Sequence, residues 1–410
     1  MNPLKDTILQ IAARSPFYQK HLQHLNLSEM DFPSDLHKLP FTEKLDIFHH
    51  NEEFLAIPKH EVVDWVTTSG TLGDPVWFAL SKKDLKRLAI NEAGTYKLAG
   101  LEKGDIVLLT TTIDRRFMAG LAYYLGAAEH GISIIRNGPG IPQMQWDSIF
   151  QMKPSAIIAV PSFLLKLAEF ARQNDIDLNT CSLKKAICIG ENIRDENLKP
   201  NELAKRILEV WPNLKLFGTY ASTEMSTAFT ECEAGQGLHM QDELIHCEFL
   251  NENNEAVKPG ELGELVITNL GVDAMPLLRF RTGDLMRHFT EPCSCGRKSL
   301  RIGPVEGRKQ QMIKYRGTTL YPPALMNVLH ESKEVDNFQL HLYTNSIGSD
   351  ELHVWVSIKG EEEIVLNELK NRFRAKIRVS PHIIVQSFEE IEKSKWPEKT
   401  RKPILFIDHR

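Results

Sequence analysis

Between about residues 62 and 288, short apolar runs alternate with longer helical patterns, and this alternation constrains the fold more than any other feature of the chain. The runs 106–110 (Ile-Val-Leu-Leu-Thr), 132–135 (Ile-Ser-Ile-Ile), 156–160 (Ala-Ile-Ile-Ala-Val) and 185–189 (Lys-Ala-Ile-Cys-Ile) read as strands, and 162–174 reads as a helix between two of them. Strands separated by helices pair largely in parallel, with the helices as covering layers, so an α/β layered domain is predicted. Runs 264–268 (Glu-Leu-Val-Ile-Thr) and 277–281 (Leu-Leu-Arg-Phe-Arg) instead alternate apolar and polar residues between Gly and Pro breakers. That pattern suits antiparallel strands, here in a β subdomain over about 225–300. The first 60 or so residues read as short helices with proline turns, a packing collar in which Leu39-Pro40-Phe41-Thr42 leads into a helix capped by Thr42. After Arg308 strand-like 341–343 and 353–358, a helix around 361–374 and strand-like 382–386 suggest a small α+β lid domain. The expected division is therefore 1–308, including the β subdomain, and 309–410.

Composition narrows the classes of function. The 410 residues are 42% apolar and 25% charged with a net charge of −5, which suits a globular chain of two or three domains and gives no global electrostatic reason to bind nucleic acid or an anionic membrane. The first residues lack the apolar core of a signal peptide, and no run approaches the roughly 18 apolar residues of a membrane span, so a cytoplasmic protein is expected. Six cysteines in such a chain do not make a disulfide scaffold.

Residues 217–224, Phe-Gly-Thr-Tyr-Ala-Ser-Thr-Glu, put an aromatic ring, hydroxyls and a carboxylate on one strand-to-loop transition. Tyr220 can stack on a purine, Ser222 or Thr223 can donate to phosphate, and Glu224 can hold Mg²⁺, which takes one or two carboxylates together with substrate phosphates. Far upstream, 67–75 (Thr-Thr-Ser-Gly-Thr-Leu-Gly-Asp-Pro) is a loop whose backbone N–H groups can wrap phosphate. A plain hairpin turn is the competing reading, although a turn needs mainly glycine and leaves the density of hydroxyls unexplained. The loop lacks the Gly-Lys-[Ser/Thr] end of a P-loop. Asp284, in Arg-Thr-Gly-Asp, suits a ribose diol or a turn cap, and Arg308 suits phosphate and ribose oxygens or a solvated surface.

Taken in order, 67–75, Gly190-Glu191, 220–224, 261–265 (Glu-Leu-Gly-Glu-Leu), 279–284 (Arg-Phe-Arg-Thr-Gly-Asp) and Gly307-Arg308 resemble the adenylate-forming enzymes. Leu39-Pro-Phe-Thr42, Gly237-Leu-His239, Cys293-Ser-Cys-Gly-Arg297 and Arg316-Gly-x-x-x-Tyr-Pro322 resemble the phenylacetate-CoA ligase branch in particular. The resemblance implies ATP-dependent activation of a small carboxylic acid, of aryl or arylalkyl type, as an acyl-adenylate, followed by transfer to CoA. It places Thr67, Thr68, Ser69, Gly70 and Thr71 on the β- and γ-phosphates, Tyr220 on adenine, Thr223 on the α-phosphate, Glu224 on Mg²⁺ and Asp284 on the ribose. Glu191, Thr219, Ala221, Ser222 and Arg308 complete the nucleotide set, Phe117, Pro161 and Gly218 the acid pocket, and Gly317 the thiol path. A lysine of the mobile C-terminal domain bridges carboxylate and phosphate in such enzymes, and here Lys402 fits better than Lys399. A homodimer is likewise implied by the resemblance alone.

Asp74 stands where the family's loop often has lysine, Gln311 where its hinge often has aspartate, and 112–120 carries Arg115 and Arg116 where the family is glycine-rich. The arginine pair reads either as recognition of an acidic or polar substrate group or as a solvated surface pair. Loading of a carrier protein in place of CoA, or nucleotide binding without turnover, are the rival readings. Cys232, His239, Cys293 and Cys295 form two clusters about 55 residues apart, and three thiols with one imidazole suit a closed structural Zn²⁺ site.

Overall fold

The computed structural model describes residues 2–68, 76–315, 318–345, 348–397 and 403–410. The chain forms two compact units, Met1–Lys199 with Ala204–Pro304, and Pro200–Leu203 with Val305–Arg410.

In the first unit the apolar runs become parallel strands in the spatial order Ser133–Arg136, Ile106–Leu109, Ala156–Ala159, Lys185–Cys188, Lys215–Ser222. Their buried residues, Val107, Leu109, Ile158, Ile187 and Phe217 among them, share a core with Tyr96 and Tyr123 from covering helices. Helices Met118–His130, Pro142–Met152 and Pro161–Gln173 carry the chain between successive strands, and the first stops at Gly131, whose φ of 81° suits the left-handed C-terminal cap. Beyond Lys215–Ser222 pairing becomes antiparallel through Thr227–Glu231, Leu238–His239, Arg301–Ile302, Phe280–Phe289, Leu262–Asn269 and Ile245–Leu250. The antiparallel strands thus continue the parallel sheet as one hydrogen-bonded series. A separate antiparallel pair, Val62–Thr67 with Trp77–Ser81, carries the 69–75 segment between its strands.

Two local expectations need correction. Strand pairing begins at Phe280, because the N–H groups of Leu277, Leu278 and Arg279 donate to the side chains of Asn269, Tyr18 and Thr268, and Arg279 sits at φ 46°. The helix Lys44–His49 is capped by Glu43, which exchanges bonds with Asp46, and not by Thr42. Thr42 is drawn inward: its hydroxyl donates to the Leu278 carbonyl at 2.6 Å and lies 2.8 Å from the Tyr18 hydroxyl, stitching the N-terminal collar to the sheet.

The second unit has a sheet in the order His382–Val385, Asp350–Ile358, Val335–Thr344, Phe406–Asp408. Side chains alternate across it. Leu340, Leu342, Leu352, Val354 and Val356 face a core shared with helices Pro322–Glu331 and Glu362–Ile377, while His341, Tyr343, His353 and Trp355 cluster on the opposite face. The final strand pairs in parallel with 340–342.

Candidate active site

Lys215–Ser222 stands where the sheet changes character. Residues 215–218 pair in parallel with Lys185–Cys188, and 219–222 pair antiparallel with 227–230. Ligands of open α/β sheets bind beyond the C-terminal ends of the strands where connectivity switches. Tyr220 lies just past the changeover, and its hydroxyl donates to Asp284 Oδ2 at 2.7 Å. Asp284 was expected just after a turn. It lies instead inside Phe280–Phe289, where Gly283 has φ 74° and the register with Leu262–Asn269 slips. Such irregularities re-aim a side chain, and this one brings a buried carboxylate to the tyrosine.

Around Tyr220 the hydroxyls of Thr219 and Ser222 have local partners. Thr219 donates to the Cys188 carbonyl at 3.2 Å, and Ala221 stands opposite Ala228. Ser222 Oγ accepts the Met225 N–H, and the Thr223 carbonyl accepts the Ser226 hydroxyl, which closes a tight turn with Ser226 at φ 50°. Glu224 leaves that turn with a carboxylate oxygen 3.7 Å from Lys44 Nζ.

The neck of the 69–75 segment is fixed on both sides. Thr67 N–H donates to the Arg116 carbonyl, Thr68 N–H to the Val76 carbonyl, and Val76 N–H to Thr68 Oγ1 at 3.1 Å. Ser69, Gly70, Thr71 and Asp74 lie outside the described residues, as do Gly317, Lys399 and Lys402. The Arg116 guanidinium lies over the Trp77 ring, 4.8 Å from its centroid, so this arginine is engaged with an indole of the loop-bearing hairpin. Phe117 is the N-cap of Met118–His130. Gly120 packs so closely on the preceding turn that a Cβ would stand 1.9 Å from the Thr112 carbonyl oxygen.

Glu191 accepts the Ser162 N–H at 2.8 Å and the Ser162 hydroxyl at 3.0 Å, which satisfies the exposed donors that open Pro161–Gln173 and sets a negative charge at the helix's positive end. This joins Glu191 to the helix end that carries Pro161. Gly218 sits at the changeover with its N–H on Glu231 Oε2 at 3.1 Å. Arg308 is exposed in the short strand Gly307–Arg308 of the second unit, where a Cβ on Gly307 would stand 2.4 Å from the Tyr321 ring.

Cys232, His239, Cys293 and Cys295 converge with all four ligand atoms within 4.8 Å of one another. Cys232 and Cys293 sulfurs are 3.7 Å apart, and Cys295 Sγ is 3.6 Å from His239 Nε2. Bonds of about 2.3 Å to sulfur and 2.0 Å to nitrogen at tetrahedral angles require separations of this size, so the donor set fits zinc. Burial and the nearby Arg297 and Arg301 hold His239 neutral, with a pKa lowered to about 4, and its Nδ1 lies 2.8 Å from Ser299 Oγ, leaving Nε2 turned to the thiols. Burial opposes the Cys295 thiolate but is outweighed by hydrogen bonds from the Arg297 backbone and side chain, which bring that pKa down to about 7.

Three participants escaped the sequence reading: Lys44, beside Glu224; Tyr123, whose hydroxyl meets the Thr219 side chain; and Glu231, on Gly218. Only Lys44 carried a sequence signal, since it closely follows Pro40-Phe41-Thr42.

Comparison with known proteins gives the family. The AMP-binding enzyme family profile matches residues 10–273. The phenylacetate-coenzyme A ligase of Thermus thermophilus is 30% identical over 339 residues, spanning 81% of this chain and 74% of that one. The enzyme of the same name from Pseudomonas putida is 28% identical over 88% of this chain and 82% of its own. Among solved structures, 2-hydroxyisobutyryl-CoA ligase in its postadenylation state superposes with a TM-score of 0.86 at 22% identity, covering 100% of this chain and 88% of that one, a likeness of fold. The chain belongs to the AMP-binding enzyme family, within its phenylacetate-CoA ligase branch.

Proposed function

We propose that the protein is an AMP-forming acid–thiol ligase that uses ATP to convert an aryl or arylalkyl carboxylic acid to its acyl-adenylate and passes the acyl group to CoA. The Tyr220–Asp284 pair, at the sheet changeover and on the strand that leads to Thr223 and Glu224, carries this reading. Asp284 takes the ribose hydroxyls, Tyr220 stacks on the adenine, and Thr223 donates to the α-phosphate. A carboxylate oxygen of the acid attacks the α-phosphorus, the bond to the bridging oxygen breaks, and pyrophosphate leaves. Enzymes of this chemistry contribute chiefly positioning and charge neutralisation. Glu224 would hold Mg²⁺, which supplies positive charge against the phosphates, and the ammonium of Lys44 adds positive charge beside Glu224. Phe117, Pro161 and Gly218 line the acid pocket, Lys402 or Lys399 bridges carboxylate and phosphate, and Gly317 lines the thiol path.

In this reading 1–308 binds the adenylate and 309–410 is the mobile domain, the Cys₃His set holds structural Zn²⁺, and the protein works in the cytoplasm, with CoA as acceptor and a homodimer as its assembly. No helix among the described residues is long and apolar enough to cross a membrane.

Carboxylate-dependent ATP–pyrophosphate exchange over a panel of aromatic and aliphatic acids tests the proposal, with thioester formation followed in the presence of CoA. Exchange with aryl or arylalkyl acids, abolished by Lys402→Ala or Lys399→Ala, is the expected result. Intact ATP binding with no exchange for any acid would identify a nucleotide-binding protein without turnover. Exchange without CoA thioester would redirect the second step to a carrier protein.

A further inference from the structure

At Gly218 the sheet has a defect that a side chain repairs. Up to this residue Lys215–Ser222 is paired in parallel with Lys185–Cys188; from Thr219 onward it is paired with 227–230 on the antiparallel side. The antiparallel register runs from Ser222↔Thr227 to Thr219↔Thr230 and stops, which leaves Gly218 opposite Glu231 without a backbone partner on that side. The Glu231 carboxylate fills the place: Oε2 accepts the Gly218 N–H at 3.1 Å. Both oxygens also meet Arg194, at 2.8 Å to Nε and 3.1 Å to Nη2. Glu231 is 1% exposed. Arg194 is hemmed in as well, since a Cβ on Gly235 would stand 2.8 Å from its Nη2.

A buried ion pair gives little net stability over a well-packed apolar pair, so stability alone does not account for this one. Its geometry offers another role. Oriented by the bidentate arginine, the carboxylate fixes the height of the Gly218 backbone at the point where the strand leaves one partner for another. We infer that Glu231 is a positioning residue, with Arg194 as its orienter, that holds the Gly218 wall of the acid pocket and so governs affinity for the carboxylic acid more than for ATP. The ligand class, a small carboxylic acid, and the place of Gly218 in its pocket rest on the function proposed above; the clamp itself does not.

Two measurements on Glu231→Ala, Glu231→Gln and Arg194→Lys separate these parts. Hydrogen–deuterium exchange read at the Gly218 amide should accelerate at least about tenfold in Glu231→Ala and recover in Glu231→Gln, whose amide oxygen can still accept. In pyrophosphate exchange the KM for the acid should rise about tenfold in Glu231→Ala while the KM for ATP stays within about threefold, with Glu231→Gln and Arg194→Lys between it and wild type. An unchanged Gly218 amide in folded Glu231→Ala, or equal changes in the two KM values, overturns the inference. If Glu231→Ala does not fold, Arg194→Lys decides it: faster exchange at the Gly218 amide with a larger rise in the acid KM than in the ATP KM is expected, and a wild-type amide or equal KM changes overturns it. If wild type exchanges no acid, the proposed activity fails, and the amide measurement still decides whether Glu231 holds the strand.

Discussion

In the proposed reading Tyr220 has two functions with separable atoms: its ring is the face for a purine, and its hydroxyl, 2.7 Å from Asp284 Oδ2, orients that carboxylate. Tyr220→Phe keeps the face and removes the donor. A hydrogen bond to a charged acceptor contributes about 1.5–3 kcal/mol, so the KM for ATP should rise about tenfold with kcat changed far less. Asp284→Ala, which also removes the acceptor for ribose, should be worse; equal ATP affinity in Tyr220→Phe would show that the hydroxyl is not needed to aim the carboxylate. The members of this pair could be picked out from the chain, but their contact could not. Asp284 resembled a turn residue because Gly283 precedes it, and only the register slip between Glu264 and Val266 turns that glycine into a kink within a strand. Lys44 was overlooked because its partner Glu224 is 180 positions away, and its one local mark is that it closely follows Pro40-Phe41-Thr42.

Among the elements, the strand Val335–Thr344 carries a buried histidine whose protonation the fold resists. His341 Nε2 lies 3.1 Å from Gln339 Oε1 and Nδ1 lies 3.1 Å from His409 Nε2, a pattern that a neutral ring satisfies by donating once and accepting once. Burial, with His409 and His353 nearby, lowers its pKa to about 4 from the usual 6.5. Between those values the unfolded chain binds a proton that the folded chain does not, so this stability is fully present above about pH 6.5 and declines as pH falls toward 4. Thermal denaturation followed from pH 7.5 to 4.5 should show a smaller loss of Tm for His341→Gln than for wild type, and identical curves would refute the assignment. The loops bearing Cys232 and Cys293 support a second expectation. Stripping metal with a strong chelator should lower Tm by on the order of 5–10 °C, and zinc content should be near one per chain in wild type and near zero in Cys293→Ser. A protein isolated without zinc, or with unchanged Tm after stripping, would leave the thiols as ordinary buried groups.

Across the whole molecule, the parallel layer was legible because its strands are continuous apolar runs, and a run buried on both faces has few other places to go. The helices between them were legible by period, 162–174 against the observed Pro161–Gln173. The order of the strands was not, nor was the fusion of the antiparallel strands onto the parallel ones, because long-range pairing leaves no mark within either strand. The terminal strand Phe406–Asp408 was missed for a related reason: among basic residues it reads as tail, and only its neighbour 340–342 makes it a strand. Family resemblance supplied what patterning could not, namely which scattered hydroxyls and carboxylates to assign to one proposed site.

The hairpin that carries the 69–75 segment has optical consequences. Trp65 and Trp77 remain 38% and 41% exposed, while Trp146 and Trp211 are fully buried and stacked on each other. With a guanidinium lying over Trp77 and the Arg116 carbonyl bound to the Thr67 amide, any displacement of the loop's neck must disturb that cation–indole contact. The molecule thereby carries an emission reporter at the neck of the 69–75 segment, which a water-soluble quencher reaches together with the exposed Trp396 while Trp146 and Trp211 stay shielded.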